Sequence, residues 1–286
     1  MPTPSEPRDP RPEPGPAFSL AGRVAVVTGA AGLLGRQHCR ALADAGATVV
    51  ATDLDAAATA DVERQMRQEG RSAVRGVAAD ITDPASVTAL RDAILRADDR
   101  LDILVNNAAL NERVEAPDGA AADTRFEHFP VERFRRMLEV NVTGTFLCCQ
   151  ILGGEMARRR SGSIVNIAST YGHVAPDQRL YLRPDGTQTF WKSAGYPASK
   201  GAVLAFTRFL AAYWADRGVR VNSLSPGGVG HGGQDPSFVE AYAQRTPMRR
   251  MAEAHEYRGA IVFLASDASS YMTGADLTVD GGWTAW

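Results

Sequence analysis

From residue 24 to the end of the chain, apolar runs of strand length alternate with amphipathic stretches of helix length, and few folds accept that alternation. The runs are rich in valine, isoleucine and leucine without the polar alternation of a half-exposed strand, which is the composition of strands buried on both faces of a parallel sheet. They fall at residues 24–28, 48–52, 73–78, 103–106, 163–167, 220–224 and 276–279, with helices filling most of the intervals. The expected architecture is an α/β fold: one doubly wound domain whose seven-stranded parallel sheet carries helices on both faces. No internal repeat or Gly/Ser-rich linker divides the chain, so a single domain is expected over residues 20–286. Residues 1–19 are set apart because prolines at positions 2, 4, 7, 10, 12, 14 and 16 forbid a helix, which predicts a disordered arm. Residues 107–132, 170–195 and 228–250 read as segments over a site.

Charge and cysteine usage narrow the function classes. Hydrophobic residues make up 44% and charged residues 22% of the 286, and the formal net charge is −2, so there is no basic field for nucleic acid. The cluster Arg158-Arg159-Arg160 reads as a solvated helix end. Cys39, Cys148 and Cys149 are too few and too poorly spaced for a disulfide framework or a metal site, so no metal is expected. No apolar run reaches the ~18 residues of a membrane span, and the N-terminus has no charged-then-apolar signal pattern, which predicts a cytoplasmic protein without a membrane partner.

The first strand runs directly into Gly29-Ala30-Ala31-Gly32-Leu33-Leu34-Gly35 and then a helix. Glycines at such a turn let the backbone approach a pyrophosphate, whose charge the helix N-terminus meets. Asp53 closes the second strand, where a carboxylate accepts hydrogen bonds from ribose hydroxyls and repels a 2′-phosphate, so NAD is expected and NADP disfavoured. Asp80 ends the third strand and reads either as a contact to the adenine edge or as a helix cap. Arg36 reads as a surface helix charge. Farther along, Tyr196 and Lys200 share a helical face at a spacing of four. An ordinary tyrosine ionises near pH ~10, and a neighbouring ammonium favours the phenolate, so the pair is a candidate acid/base.

Thr28-Gly29 with its glycine turn, Asn106-Asn107-Ala108-Ala109, Asn141 in Val140-Asn141-Val142, Ser169, Tyr196-x-x-x-Lys200, Pro226-Gly227 and the tail from Thr273-Gly274 to Gly281-Gly282 occur in an order that resembles the short-chain dehydrogenase/reductase family over nearly the whole folded length. The resemblance implies a Rossmann-type fold and an oxidoreductase that passes hydride between a nicotinamide and a secondary alcohol or ketone. It implies a tetrad: Tyr196 as acid/base, Lys200 lowering its pKa and holding the nicotinamide ribose, Ser169 orienting the substrate oxygen, and Asn141 anchoring a water. It also places Ile81, Asn107, Ala108, Pro226, Gly227 and Val229 at the cofactor, beside Gly29, Gly32, Leu33, Leu34, Gly35, Asp53 and Asp80, and implies a homotetramer or homodimer. The aromatic end of the chain, Trp283 and Trp286, is expected to be buried in a partner chain.

The chain departs from the family pattern in four places. Leu33 stands where the family has the middle glycine, which moves to Gly32; Ala109 replaces a glycine; and after Pro226-Gly227 the usual threonine gives way to Gly228-Val229-Gly230-His231. The fourth departure is the distance from Ser169 to Tyr196, 27 residues, which leaves room for an insertion of roughly a dozen residues over the substrate mouth. Thr170, Tyr171, Gln178, Arg179 and Tyr181 are the candidate substrate residues of this segment, with Arg179 suited to an anionic group. The insertion resembles that of flagellin-modification and sugar-pathway oxidoreductases, which implies a polar, hydroxyl-rich substrate; packing against a neighbouring subunit is the alternative. Two other readings of the chain stay open: an NADP-dependent ketoreductase of acyl or polyketide substrates, and a cofactor-binding scaffold without activity. His173, His231 and Asp177 near Ser169 do not make a hydrolase, because no Gly-x-Ser-x-Gly elbow surrounds the serine.

Overall fold

A computed structural model describes residues 16–112, 124–183 and 185–286. Seven strands, β1 (Val24–Thr28), β2 (Thr48–Asp53), β3 (Val74–Ala78), β4 (Ile103–Asn106), β5 (Gly162–Ile167), β6 (Val219–Pro226) and β7 (Asp276–Val279), form one sheet in the order β3-β2-β1-β4-β5-β6-β7. Every pairing is parallel, so each strand returns through a crossover and the sheet is covered on both sides. The chain order reverses between β1 and β4, and this opens a crevice beyond the carboxyl ends of the two strands.

The two sides of β1 show how the layers are made. Val24 and Val26 point to one face, where they pack with Val87, Leu90 and Ile94 of α3 (Pro84–Asp98) and Leu210 and Trp214 of α7 (Gly195–Trp214). Ala25 and Val27 point to the other, against Cys39 and Leu42 of α1 (Leu33–Asp44), Val62 and Met66 of α2 (Ala56–Gln68), and Ile261 and Leu264 of α9 (Arg258–Ala265). Alternation of side chains along each strand thus supplies two separate cores. All three cysteines are free and buried in these cores.

Three expectations change. Residues 16–19, assigned to the disordered arm, include a 3-10 turn at Pro16–Phe18 closed by the Ser19 amide on the Pro16 carbonyl; residues 1–15 lie outside the described ones. The inserted segment is not only a surface loop: Leu180, Tyr181 and Phe190 build a small core of their own with Tyr242 of α8 (Pro236–Arg245) and Trp283. Trp283 is therefore buried within its own chain, stacked on Tyr242 with ring centroids 4.2 Å apart, because α8 comes over the C-terminal turn and offers it an aromatic partner. Trp286 stays exposed and donates its ring N–H to the Arg245 carbonyl.

Candidate active site

The glycine turn joins β1 to α1 at the crevice. Gly29 has φ of +63°, and a Cβ there would stand 2.7 Å from the Cα of Ala108, so only glycine lets the turn lie this close to the segment after β4. Gly35 is tighter still, with a Cβ position 2.1 Å from the Gly29 carbonyl oxygen. Gly32 is the N-cap of α1 and offers no side chain, so the first-turn amides beside Leu33 carry no side-chain cap. Asn107 fastens the turn from the other side, its amide nitrogen donating to the Thr28 and Gly29 carbonyls at 3.0 Å each.

Asp53 ends β2 with one carboxylate oxygen accepting the Ala31 amide at 3.0 Å and the other the Leu54 amide at 2.8 Å. A carboxylate has about four acceptor sites, so both oxygens retain capacity for ribose hydroxyls. Arg36 is spent on the Ala31 carbonyl, Gln65 and Asp61, as a surface helix charge would be. Asp80 accepts the Thr82 amide and hydroxyl, which hold its carboxyl below the usual range, so it caps a turn in front of α3; Ile81 is buried in the core, with its side chain under Gly144.

At the catalytic end, Ser169 follows β5 and lies in extended backbone. Its hydroxyl accepts the Tyr171 amide at 3.2 Å and hydrogen-bonds Tyr196. Tyr196 and Lys200 occupy the first turns of α7. Burial pushes the phenol upward from its ordinary pKa, and the hydrogen bond to Ser169 opposes that shift. Lys200 is buried as well, which lowers its ammonium to about 8, and it donates to the Ile167 carbonyl at 2.6 Å, with its nitrogen 5.7 Å from the Tyr196 ring centroid. Serine, tyrosine and lysine from two elements are thereby brought to one wall.

Asn141 lies in a π-helical stretch, Glu139–Gly144, between α4 (Val131–Leu138) and α5 (Thr145–Cys148). Its amide nitrogen donates to the Leu110 carbonyl and the Ser199 hydroxyl, and its oxygen accepts the Leu110 amide. Both amide hydrogens are engaged, so the side chain braces the segment after β4 against α7 and has only acceptor capacity left for the expected water.

Between these two ends lies a cleft of about 510 Å³. Of the expected residues, Leu33, Leu34, Asn107, Ser169, Thr170, Tyr171, Tyr181, Tyr196, Lys200, Pro226, Gly227 and Val229 line it. Gly29, Gly32, Gly35, Asp53 and Ala108 shape the turn that borders it, whereas Asp80, Ile81 and Asn141 stand behind. Two substrate candidates are misplaced. Arg179 is exposed, pairs with Asp177 two residues away and faces a separate surface groove with Arg245 and Trp286. Gln178 turns inward, bracketing the backbone N–H and carbonyl of Lys192 at 2.9 Å each. His173 directs its Nε2 to Ser225 and Asp276, not to Ser169.

Sequence reasoning missed Asn111, Glu112, Lys192, Gln234, Phe238 and Tyr242, all of which line the cleft. Phe238 stacks on Tyr181 at 5.5 Å, and the Tyr242 hydroxyl accepts the Gly228 amide at 2.6 Å, where the family has its threonine. Asn111 and Glu112 stand one residue, Leu110, beyond the Asn106-to-Ala109 motif, the one signal that could have marked them. Lys192 carries no local signal at all.

The chain is similar to known proteins over most of its length. A family model described as short chain dehydrogenase matches residues 23–181, and one described as enoyl-(acyl carrier protein) reductase matches residues 184–284. D-threitol dehydrogenase of Mycolicibacterium smegmatis is 39% identical over 271 residues, 93% of this chain and 95% of that one. Galactitol 2-dehydrogenase (L-tagatose-forming) of Cereibacter sphaeroides is 38% identical over 94% of this chain and 98% of its own. The crystal structure of a gluconate 5-dehydrogenase from Burkholderia cenocepacia, in complex with NADP and tartrate, superposes with a TM-score of 0.82 at 31% identity, covering 96% of this chain and 100% of that chain.

Proposed function

The chain belongs to the short-chain dehydrogenase family, and from that premise we propose an NAD-dependent polyol dehydrogenase in which Tyr196 takes the proton of a secondary alcohol. It is an oxidoreductase acting on CH–OH donors, with relatives that are named for threitol, galactitol and gluconate. The observation that carries the reading is the meeting of Ser169, Tyr196 and Lys200 on one wall of a cleft bordered by the glycine turn. A dinucleotide fits that border, because Gly29 and Gly35 leave room only for backbone and α1 begins without a side-chain cap. Gly29, Gly32 and the first turn of α1 would hold its pyrophosphate and Asp53 its adenosine ribose, and the bound nicotinamide would supply the hydride acceptor.

The side chains do the rest. Ser169 donates its hydroxyl to the substrate oxygen and orients it. Tyr196, as the phenolate, receives the proton from that oxygen as the carbonyl forms. Lys200, with a pKa of about 8, remains mostly an ammonium at neutral pH and favours the phenolate it faces. Tyr171, Tyr181 and Phe238 roof the cleft with aromatic faces suited to the C–H surface of a polyol.

The NAD preference rests on Asp53, whose carboxylate repels a 2′-phosphate. Titration of the protein with NADH and NADPH, following nicotinamide fluorescence, tests it: NADH binds at least tenfold tighter, and Asp53→Asn narrows the gap. Equal affinity for the two in the parent protein would refute the assignment. An NADP-dependent ketoreductase is the second reading, favoured by the NADP in the gluconate 5-dehydrogenase structure and by the reductase model over residues 184–284. We further assign residues 20–286 to one catalytic domain, a cytoplasmic location, and a homotetramer or homodimer, supported by the exposed Phe146, Phe209 and Tyr213 on α5 and α7. Among the described residues no helix is long and apolar enough to cross a membrane.

A further inference from the structure

We propose that Lys192, delivered to the cleft by the inserted segment, is a second ammonium of the acid/base apparatus and lowers the pKa of Tyr196 together with Lys200. The inference rests on the reading of Tyr196 as the proton acceptor.

Lys192 is buried and lines the cleft, with its nitrogen 4.9 Å from the Tyr196 ring centroid, nearer than the 5.7 Å of Lys200. A cation over an aromatic ring is held by the ring's negative face, and a phenolate ring holds it more strongly than a phenol. By linkage, whatever binds the cation better in the ionised state lowers the pKa. The ammonium is positioned from three sides. Its Nζ donates to the Glu112 carbonyl at 2.8 Å and to the Asn111 side-chain oxygen, while Gln178 fixes its backbone. This gives a purpose to the half-buried Gln178, the first residue of a 3-10 turn in the insertion (Gln178–Tyr181): it acts on the site through Lys192.

The other groups around the phenol leave this effect standing. Lys200 comes from its own helix, Ser169 and Tyr171 from the turn after β5, Tyr181 from the insertion, Tyr242 from α8, and His231 lines the same cleft. Glu112 is the one carboxylate among the described residues of the cleft lining. One of its oxygens accepts the Ser193 amide at 3.2 Å and the other lies 3.7 Å from Arg133, so its charge is partly met by those two groups. With the phenolate charge placed at the ring centroid, a unit cation 4.9 Å away at an effective dielectric of about 20–40 shifts a pKa by about one to two units, and the opposing Glu112 brings the expectation to about one.

The test is an NMR titration of the NAD-saturated protein labelled with [ζ-13C]tyrosine, in which the Tyr196 signal is assigned by its absence in Tyr196→Phe. Lys192→Met is expected to raise the midpoint of that signal by about one pH unit, and Lys192→Arg to return it to within about 0.3 units of the parent. NADH fluorescence confirms that each variant is folded, and Lys192→Gln serves if the Met variant does not bind the cofactor. Equal midpoints in the parent and the neutral variants, or a parent signal that does not titrate, would overturn the proposal. Failure of the underlying reading looks different, because Tyr196→Phe would then still oxidise polyols.

Discussion

His38 sits in the middle of α1, the helix whose N-terminus borders the proposed cofactor site, and neither of its ring nitrogens has a hydrogen-bond partner. Burial pushes its pKa down to about 3 from 6.5. The sign of the consequence is fixed by proton count: between those two values the unfolded chain binds the proton and the folded chain does not, so stability is lost as pH falls through that window. From pH 7.5 to 5.0 the loss attributable to this one group is about 2 kcal/mol, and it approaches about 5 kcal/mol near pH 3. Replacing His38 with Met removes the titration and the two unpaired nitrogens while filling a similar volume. Urea unfolding at pH 7.5 and 5.0 checks this: the parent loses about 2 kcal/mol more than His38→Met over that interval, equivalent to roughly 4–8 °C in Tm. The difference between the two proteins cancels every other titrating group. Equal losses would show that the imidazole finds a partner or water, and the reasoning from burial would fail. Because the dinucleotide binds the folded chain, saturating NADH raises both proteins by the same increment and leaves the difference unchanged.

Three further substitutions test the packing. Gly35→Ala forces a Cβ to 2.1 Å from the Gly29 carbonyl and is expected to cost about 1–3 kcal/mol and abolish NADH binding, whereas Gly154→Ala, with nothing within 4 Å, is expected to gain about 0.4–1 kcal/mol; paired melts and fluorescence titrations read both. Trp283→Ala removes the ring stacked on Tyr242 and is expected to cost about 3–5 kcal/mol and to loosen α8, seen as faster amide exchange over Pro236–Arg245.

What was legible in the sequence followed from periodicity and steric necessity. A strand buried on both faces must be apolar throughout, so all seven strands stood out, and their ends moved by one or two residues at β2, β3, β5 and β6, the last reaching Pro226 because Val279 of β7 pairs with it. The glycine turn was legible for a steric reason as well, since Gly29 and Gly35 touch backbone where a side chain would go. The insertion's presence was legible from the spacing of Ser169 and Tyr196, but which of its residues turn inward was not, because a segment of short turns and loops has no period that tells inward residues from outward ones. Arg179 looked like the anion binder by chemistry alone, yet Asp177 two residues earlier holds it at the surface. Lys192, with no motif around it, faces the cleft because Gln178 and Phe190 anchor the returning chain. Trp283 failed for a related cause: an aromatic near a terminus says only that it needs a partner, and the partner, Tyr242, lies 41 residues away on α8.

The central claim is that Tyr196 takes the proton from a secondary alcohol, and steady-state oxidation of D-threitol, galactitol and D-gluconate with NAD, followed by nicotinamide absorbance for the parent and Tyr196→Phe, tests it most directly. The account predicts turnover of at least one of the three by the parent and a fall of about 10²–10⁴ in kcat/KM for the variant at unchanged NADH affinity. A variant that retains the parent's activity would contradict it.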